Sequence, residues 1–537
     1  MLEKLAKQTA IYGISTIVVR FLNYLKGFFA VGVLSVVLSG CSEDAMDRIN
    51  KDHGHTQSVA GRFILTDVIT STAFSNAGGD LNTYLSSYIE YEVGVDNQLY
   101  YAETRESEPT SSSTFNNTWN NLYSTLKSAR IIINQCSDGG IDYGNYTTKG
   151  MAEVLAAYNC ALIADMFGDA PCSQAALVDE NGSPVYLNPK MDKQEDIYKQ
   201  AMQYLDDAIA DLQQEDLIDP SSQDLLYQGD AEKWLKFAYA LKARYTMHLL
   251  QRSTNKDADM EKVLEYVSKS FKNTEEQAAF SVYDVNNINP LYGFFKARAA
   301  LGASESMRSK LAEYNDPRLS RAFITKLDKE KEGKAQAPGT PDTDVYAPSG
   351  TPEQGTSKYG TSLFMYSATA PTLLMSFHEL KFLEAEALCR LGRDAKSALK
   401  EAVVAGLLNA ENSFSISRKE LGNTLLNPAS AITEEEANSY FDNTVEATYT
   451  NEPLKTTMIQ KYFALWGASG EATESYNDLR RMTAPTESFI QLQNTKPFPL
   501  RCPYGNSDTT TNAEVKAAYG NGQYVYNEKV WWAGGNR

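Results

Sequence analysis

The 537-residue chain is poor in the residues that usually carry catalysis. Its four histidines, His53, His55, His248 and His378, are scattered, and His378-Glu379 is not followed by a second histidine at helical spacing. No HExxH, GxSxG or GxxxxGK[ST] stretch occurs, so zinc-hydrolase, nucleophile-elbow and P-loop chemistries lack their motifs. Cysteine is scarce as well. Beyond Cys41 there are Cys136, Cys160, Cys172, Cys389 and Cys502, with no CxxC pair. That set suggests neither a zinc site nor a disulfide framework; it allows at most two bridges and leaves most thiols buried and free. The segment Asp328–Gly333 resembles a calcium loop only faintly, because its twelfth position is Gly339 instead of glutamate. We therefore expect no metal and no cofactor. Positive charge is in deficit, 50 Lys+Arg against 68 Asp+Glu for a net charge of −18. Such a surface repels phosphate backbones, which excludes nucleic acid as a partner. Sustained strand alternation is also missing, which excludes a membrane β-barrel.

Two apolar patches lie near the start, Ile11–Val19 and Phe28–Leu38, and the second is shorter than the roughly 20 residues of a membrane-spanning helix. Arg20 and Lys26 precede it and Leu38-Ser39-Gly40-Cys41 closes it, the order of a secretory signal ending in a lipoprotein cleavage box. Small residues before a cysteine suit a signal peptidase that holds its substrate extended in a narrow cleft. Residues 1–40 thus read as a signal peptide and Cys41 as the lipidated first residue of the mature protein. Several acyl chains give stable anchoring where one does not. Ser42-Glu43-Asp44 begins an acidic tether, residues 41–57, and resembles the export signal of lipoproteins that face outward from the outer membrane.

Residues 58–537 read as the folded part. Apolar residues recur at helical spacing: Trp119, Leu122, Leu126, Ala129 and Ile133 at 3, 4, 3, 4, and Trp234, Ala238, Leu241, Tyr245 and His248 at 4, 3, 4, 3. Phe377, Leu380, Leu383, Ala387 and Leu391 mark another helix. Further helices are expected at 58–73, 80–92, 148–167 and 196–212, and His248 is expected as a packed core residue. The spacing predicts a mainly α fold of tetratricopeptide-like helical hairpins with a loop-rich, irregular remainder. Gly94–Ser113 reads as a long polar loop and 328–360 as a surface excursion.

Thirty-two tyrosines and five tryptophans make stacking surfaces the best binding candidates. Sugar C–H faces stack on aromatic rings while hydroxyls seek Asn, Asp and Arg, and a peptide can use the same groups. Two stretches hold that mixture: Asp96, Asn97, Tyr100 and Tyr101, and Asn289, Tyr292, Phe294 and Phe295. No catalytic pair can be named, so a surface lipoprotein hydrolase, a glycosidase or peptidase, stands as the alternative function.

Several segments resemble the SusD/RagB family of outer-membrane nutrient-binding lipoproteins, in its SusD-like second branch. They are Ala161–Pro171 with its Gly168-Asp169-Ala170-Pro171 turn, the helix carrying Trp234, Lys236, Phe237, Ala238 and Arg244, and Asp316-Pro317-Arg318-Leu319. Glu379–Glu386 with Arg390-Leu391-Gly392, and Arg501–Tyr504 with the closing Trp531-Trp532, complete the series. The departure is at Arg501-Cys502-Pro503-Tyr504, where the family has a Tyr-Pro pair. The resemblance implies a non-enzymatic protein that caps a TonB-dependent outer-membrane transporter and captures oligosaccharides or peptides for import. The matching residues are scaffold, and they leave the ligand unspecified.

Overall fold

A computed structural model describes residues 59–179, 181–325, 335–336, 346–356, 358–482 and 487–537. The signal peptide, Cys41, the acidic tether and all but two residues of the 328–339 stretch lie outside the described residues. Residues Ala60–Arg537 form one unit.

Helices dominate it. In chain order they begin with α1 (Gly61–Thr70), α2 (Asp80–Tyr88), the short strand β1 (Glu92–Gly94) and α3 (Asn97–Thr104). There follow α4 (Phe115–Cys136), α5 (Tyr146–Phe167), α6 (Gln194–Asp211), α7 (Ala231–His248) and α8 (Lys256–Ser268). Then come α9 (Pro290–Arg298), strand β2 (Leu301–Ser304), α10 (Phe377–Arg390) and α11 (Lys396–Leu421). Further along are α12 (Pro453–Ala464) and α13 (Ala472–Arg481). Each long helix packs on the next: α4 on α5, α5 on α6, α6 on α7, α7 on α8 and α10 on α11. This is the stacked-hairpin scaffold that the spacing predicts.

Local chemistry sets the ends. Asp230 caps α7 by accepting from the Glu232 and Lys233 amides, and Ser376 caps α10 by accepting from the Glu379 amide. Gly168 stops α5 at φ 73°, where a side chain would be strained, and Pro171 follows. α5 is long and apolar enough to cross a membrane, yet nearly all of it is buried as the central helix of the core. Trp119, Trp234 and Trp532 are fully enclosed.

The segments that resemble the family are the joints of this scaffold. The Arg244 guanidinium grips Glu379 through Nε–Oε1 at 2.7 Å and Nη2–Oε2 at 2.5 Å. Arg481 holds Glu386 in the same two-pronged way, and Arg318 holds Asp316 while donating to the Phe463 carbonyl. The Trp532 indole donates to Asp165 at 3.0 Å. His248 is enclosed as expected, and it is also an electrostatic hub. Its Nε2 lies 2.8 Å from Glu474 and its Nδ1 3.4 Å from Asp165. Burial disfavours the charged ring, but the Glu474 and Asp165 carboxylates outweigh it and raise the His248 pKa to about 9.

The expected loop at 94–113 is corrected in part, since Asn97–Thr104 is helical. It shows little apolar periodicity because one acidic side chain anchors it. The buried Glu103 accepts from the Ser87 hydroxyl at 2.6 Å and the Gly350 amide at 2.6 Å. The expected helix 80–92 ends at Tyr88, where the chain turns through Glu90 at φ 64° into β1.

Candidate ligand-binding groove

The two aromatic stretches, nearly two hundred residues apart in sequence, meet through backbone pairing. β1 runs antiparallel to β2 with Glu92 opposite Ala303 and Gly94 opposite Leu301. The Val95 amide donates to the Ala300 carbonyl at 2.9 Å, which sets the start of α3 beside the end of α9.

Between them lies a groove of about 270 Å³. Asp80 and Tyr84 of α2, Gln98 of α3, Ser112–Thr114, Asn116 and Asn117 of α4, and Phe294 and Arg298 of α9 line it. Asp80 with Tyr84 and Phe294 with Arg298 are each four residues apart on a helix, so each pair shares a face. The Tyr84 hydroxyl bonds to Gln98 at 3.2 Å and Thr114 at 2.9 Å, and Asn117 donates to Asp80 at 3.4 Å. Burial, above all, raises the Tyr84 pKa and keeps its proton on. Asn116 accepts from the Ser507 amide and hydroxyl, which ties the rim to the C-terminal segment. Arg298 has no ion-pair partner among the described residues. The groove thus offers one half-buried ring, one cation, one carboxylate and several amides and hydroxyls. That set suits a neutral ligand with apolar faces and hydroxyl or amide edges.

The expected residues divide. Phe294 lines the groove. Asn289 is fully enclosed and committed to the scaffold: its Oδ1 caps α9 while its amide donates to the Ala370 and Ala468 carbonyls. The Tyr292 ring is buried, with its hydroxyl 2.5 Å from Glu420, and Phe295 packs edge-on against Tyr366. Asp96 accepts from the Asn97 side chain at 2.7 Å just before α3. Tyr100 and Tyr101 stand edge to face on α3, Tyr101 with 61% of its surface exposed. Asp80, Tyr84, Asn116, Asn117 and Arg298 escaped the sequence reading. Their only signal is helical phase, which is silent until the facing helix is known.

A second, larger cavity of about 530 Å³ runs along α11 on the scaffold, lined among others by Phe377, Lys400, Leu408, Asn409 and Asn412. None of the expected residues borders it.

A family model described as "Starch-binding associating with outer membrane" matches residues 54–505. Among solved structures, a SusD/RagB family protein from Bacteroides thetaiotaomicron is 66% identical, with a TM-score of 0.86 over 89% of this chain and 100% of that one. A SusD homolog from Bacteroides fragilis is 19% identical with a TM-score of 0.64, covering 88% of this chain and 100% of its own. A chitin-binding SusD homolog from Flavobacterium johnsoniae is 16% identical with a TM-score of 0.61, covering 88% and 98%. These two likenesses concern the fold alone. No curated protein matches the chain.

Proposed function

The chain belongs to the SusD-like family, and from that premise we propose that it is a surface lipoprotein that captures a nutrient in the α2–α3–α9 groove. The observation that carries the proposal is the convergence of Phe294, Arg298, Asp80, Gln98 and Asn117 on one open cleft. A pyranose ring stacks its C–H face on Phe294 while its hydroxyls exchange bonds with the amides, Asp80 and Arg298. The family description favours oligosaccharide over peptide. Asp80 is the one carboxylate among the described lining residues, one short of the pair that glycoside hydrolysis uses. The groove therefore suits holding a ligand unchanged. Acyl chains on Cys41 anchor the protein to the outer membrane, with residues 1–40 removed and 41–57 as the tether. The bound ligand passes to a TonB-dependent transporter that the protein caps.

Titration calorimetry against a panel of oligosaccharides and oligopeptides tests the groove. Binding of an oligosaccharide that weakens in Phe294→Ala is expected; binding unaffected by substitutions at Phe294, Asp80 and Arg298 moves the site elsewhere. Fatty-acid labelling abolished in Cys41→Ala, and recovery of a TonB-dependent barrel with the membrane-extracted protein, test the anchor and the partner.

A further inference from the structure

Cys160, near the end of α5, and Cys172, just past the Gly168–Pro171 turn, meet in the core. Both are fully enclosed, and their Sγ atoms are 3.5 Å apart. A disulfide needs about 2.05 Å, so a movement of roughly 1.5 Å would join them. The other described cysteines have no such neighbour.

The surroundings hold the pair in place. Arg130 of α4 donates to the Cys172 carbonyl at 2.8 Å, and its Nη2 lies 3.8 Å from the Cys172 sulfur. The Cys172 amide donates to Asp192 at 2.8 Å, and the thiol lies 3.3 Å from Gln200. The backbone of Cys172 is therefore clamped from two sides with its sulfur aimed at Cys160. The hydrogen bond from Cys172 and the nearby Arg130 lower the Cys160 pKa, while the same bond and burial raise that of Cys172.

We propose that Cys160 and Cys172 are a disulfide in the exported protein, a covalent staple between the central helix and the turn that follows it. The proposal rests on the surface-lipoprotein reading, because only an exported chain meets an oxidising compartment. The oxidant is a protein disulfide of the thiol-oxidase class. The thiolate of one cysteine attacks one of its sulfurs to give a mixed disulfide, and the thiolate of the other displaces the oxidant's sulfur. One S–S bond forms, both S–H bonds are lost, and the two electrons and two protons leave on the oxidant, now a dithiol. Because the folded core shields both sulfurs, the bridge forms during folding and later resists reductant until the core opens.

The test uses the full chain extracted from cell membranes without reductant, denatured in N-ethylmaleimide and digested with trypsin. Both cysteines fall in the peptide Gly150–Lys190. The expected peptide carries no maleimide and is lighter than the dithiol by the two hydrogens lost, while Cys136, Cys389 and Cys502 are tagged. Cys172→Ser should leave Cys160 tagged and lower Tm by about 3 °C. Two tagged thiols in a chain whose Cys41 carries lipid overturn the staple and leave the anchor standing. Two tagged thiols in a chain without lipid on Cys41 overturn both.

Discussion

Around His248 and along the groove the chain uses similar residues, carboxylates, arginines, amides and aromatic rings, to opposite ends. In the first region Arg244, Glu379, Glu474, Asp165 and His248 are enclosed and pair with one another. Burial opposes ionisation of Glu474, yet Arg244 and His248 hold it well below the usual carboxylate range. In the groove Arg298 has no ion-pair partner among the described residues, and Asp80 has only a long contact from Asn117. The difference teaches that chemical richness alone marks no site here. The charges that satisfy each other hold the helices together, and the ones left open are free to meet a ligand.

The strongest way to break the contrast is to remove one half of an enclosed pair. Arg244→Ala leaves Glu379 buried without its cation and is expected to cost about 3–5 kcal/mol in chemical denaturation. Ligand affinity of the remaining folded protein should not change. The next largest effect is pH-dependent. The folded pKa of His248 lies above its ordinary 6.5, at about 9. Its contribution is thus fully present below pH 6.5 and lost as pH rises through 9. That rise corresponds to about 3 kcal/mol. The difference in unfolding free energy between wild type and His248→Gln should shrink across that window; a difference that stays constant across it would mean that the ring is neutral in the fold.

Groove substitutions sharpen the other side. Phe294→Ala is expected to weaken ligand binding about tenfold through the lost stacking face. Arg298→Ala and Asn117→Ala, each losing about one hydrogen bond, should weaken it a few-fold, with stability within about 0.5 kcal/mol of wild type. The smallest effect belongs to Tyr101→Ala, expected to leave stability unchanged. Any loss of affinity there would extend the binding surface along α3.

Much of the scaffold was legible because large apolar residues repeat along it. The stripes from Trp119, Trp234 and Phe377 became α4, α7 and α10. The 26-residue α11 went unread, because much of its buried face is small: Ala402, Gly406, Ala410, Ser413 and Ser417. A Cβ on Gly406 would come within 2.7 Å of the Ala464 side chain, so small residues there record a close approach of α12 that composition does not announce. At the site, the stretch 289–295 was visible as aromatic and its division was not. Once α9 caps on Asn289, helical phase turns Leu291, Tyr292 and Phe295 toward other protein groups and sets Phe294 over the groove with Arg298.

By itself the sequence determined the helical scaffold, its acidic surface and the family, since each follows from local periodicity, charge count or contiguous segments. Only the tertiary structure decided which ring is open to a ligand, which charges are already paired and which thiols touch. Those properties depend on the pairing of β1 with β2 and the packing of α4 on α5, which bring distant residues within a few ångströms and remove water from some of them while leaving it on others.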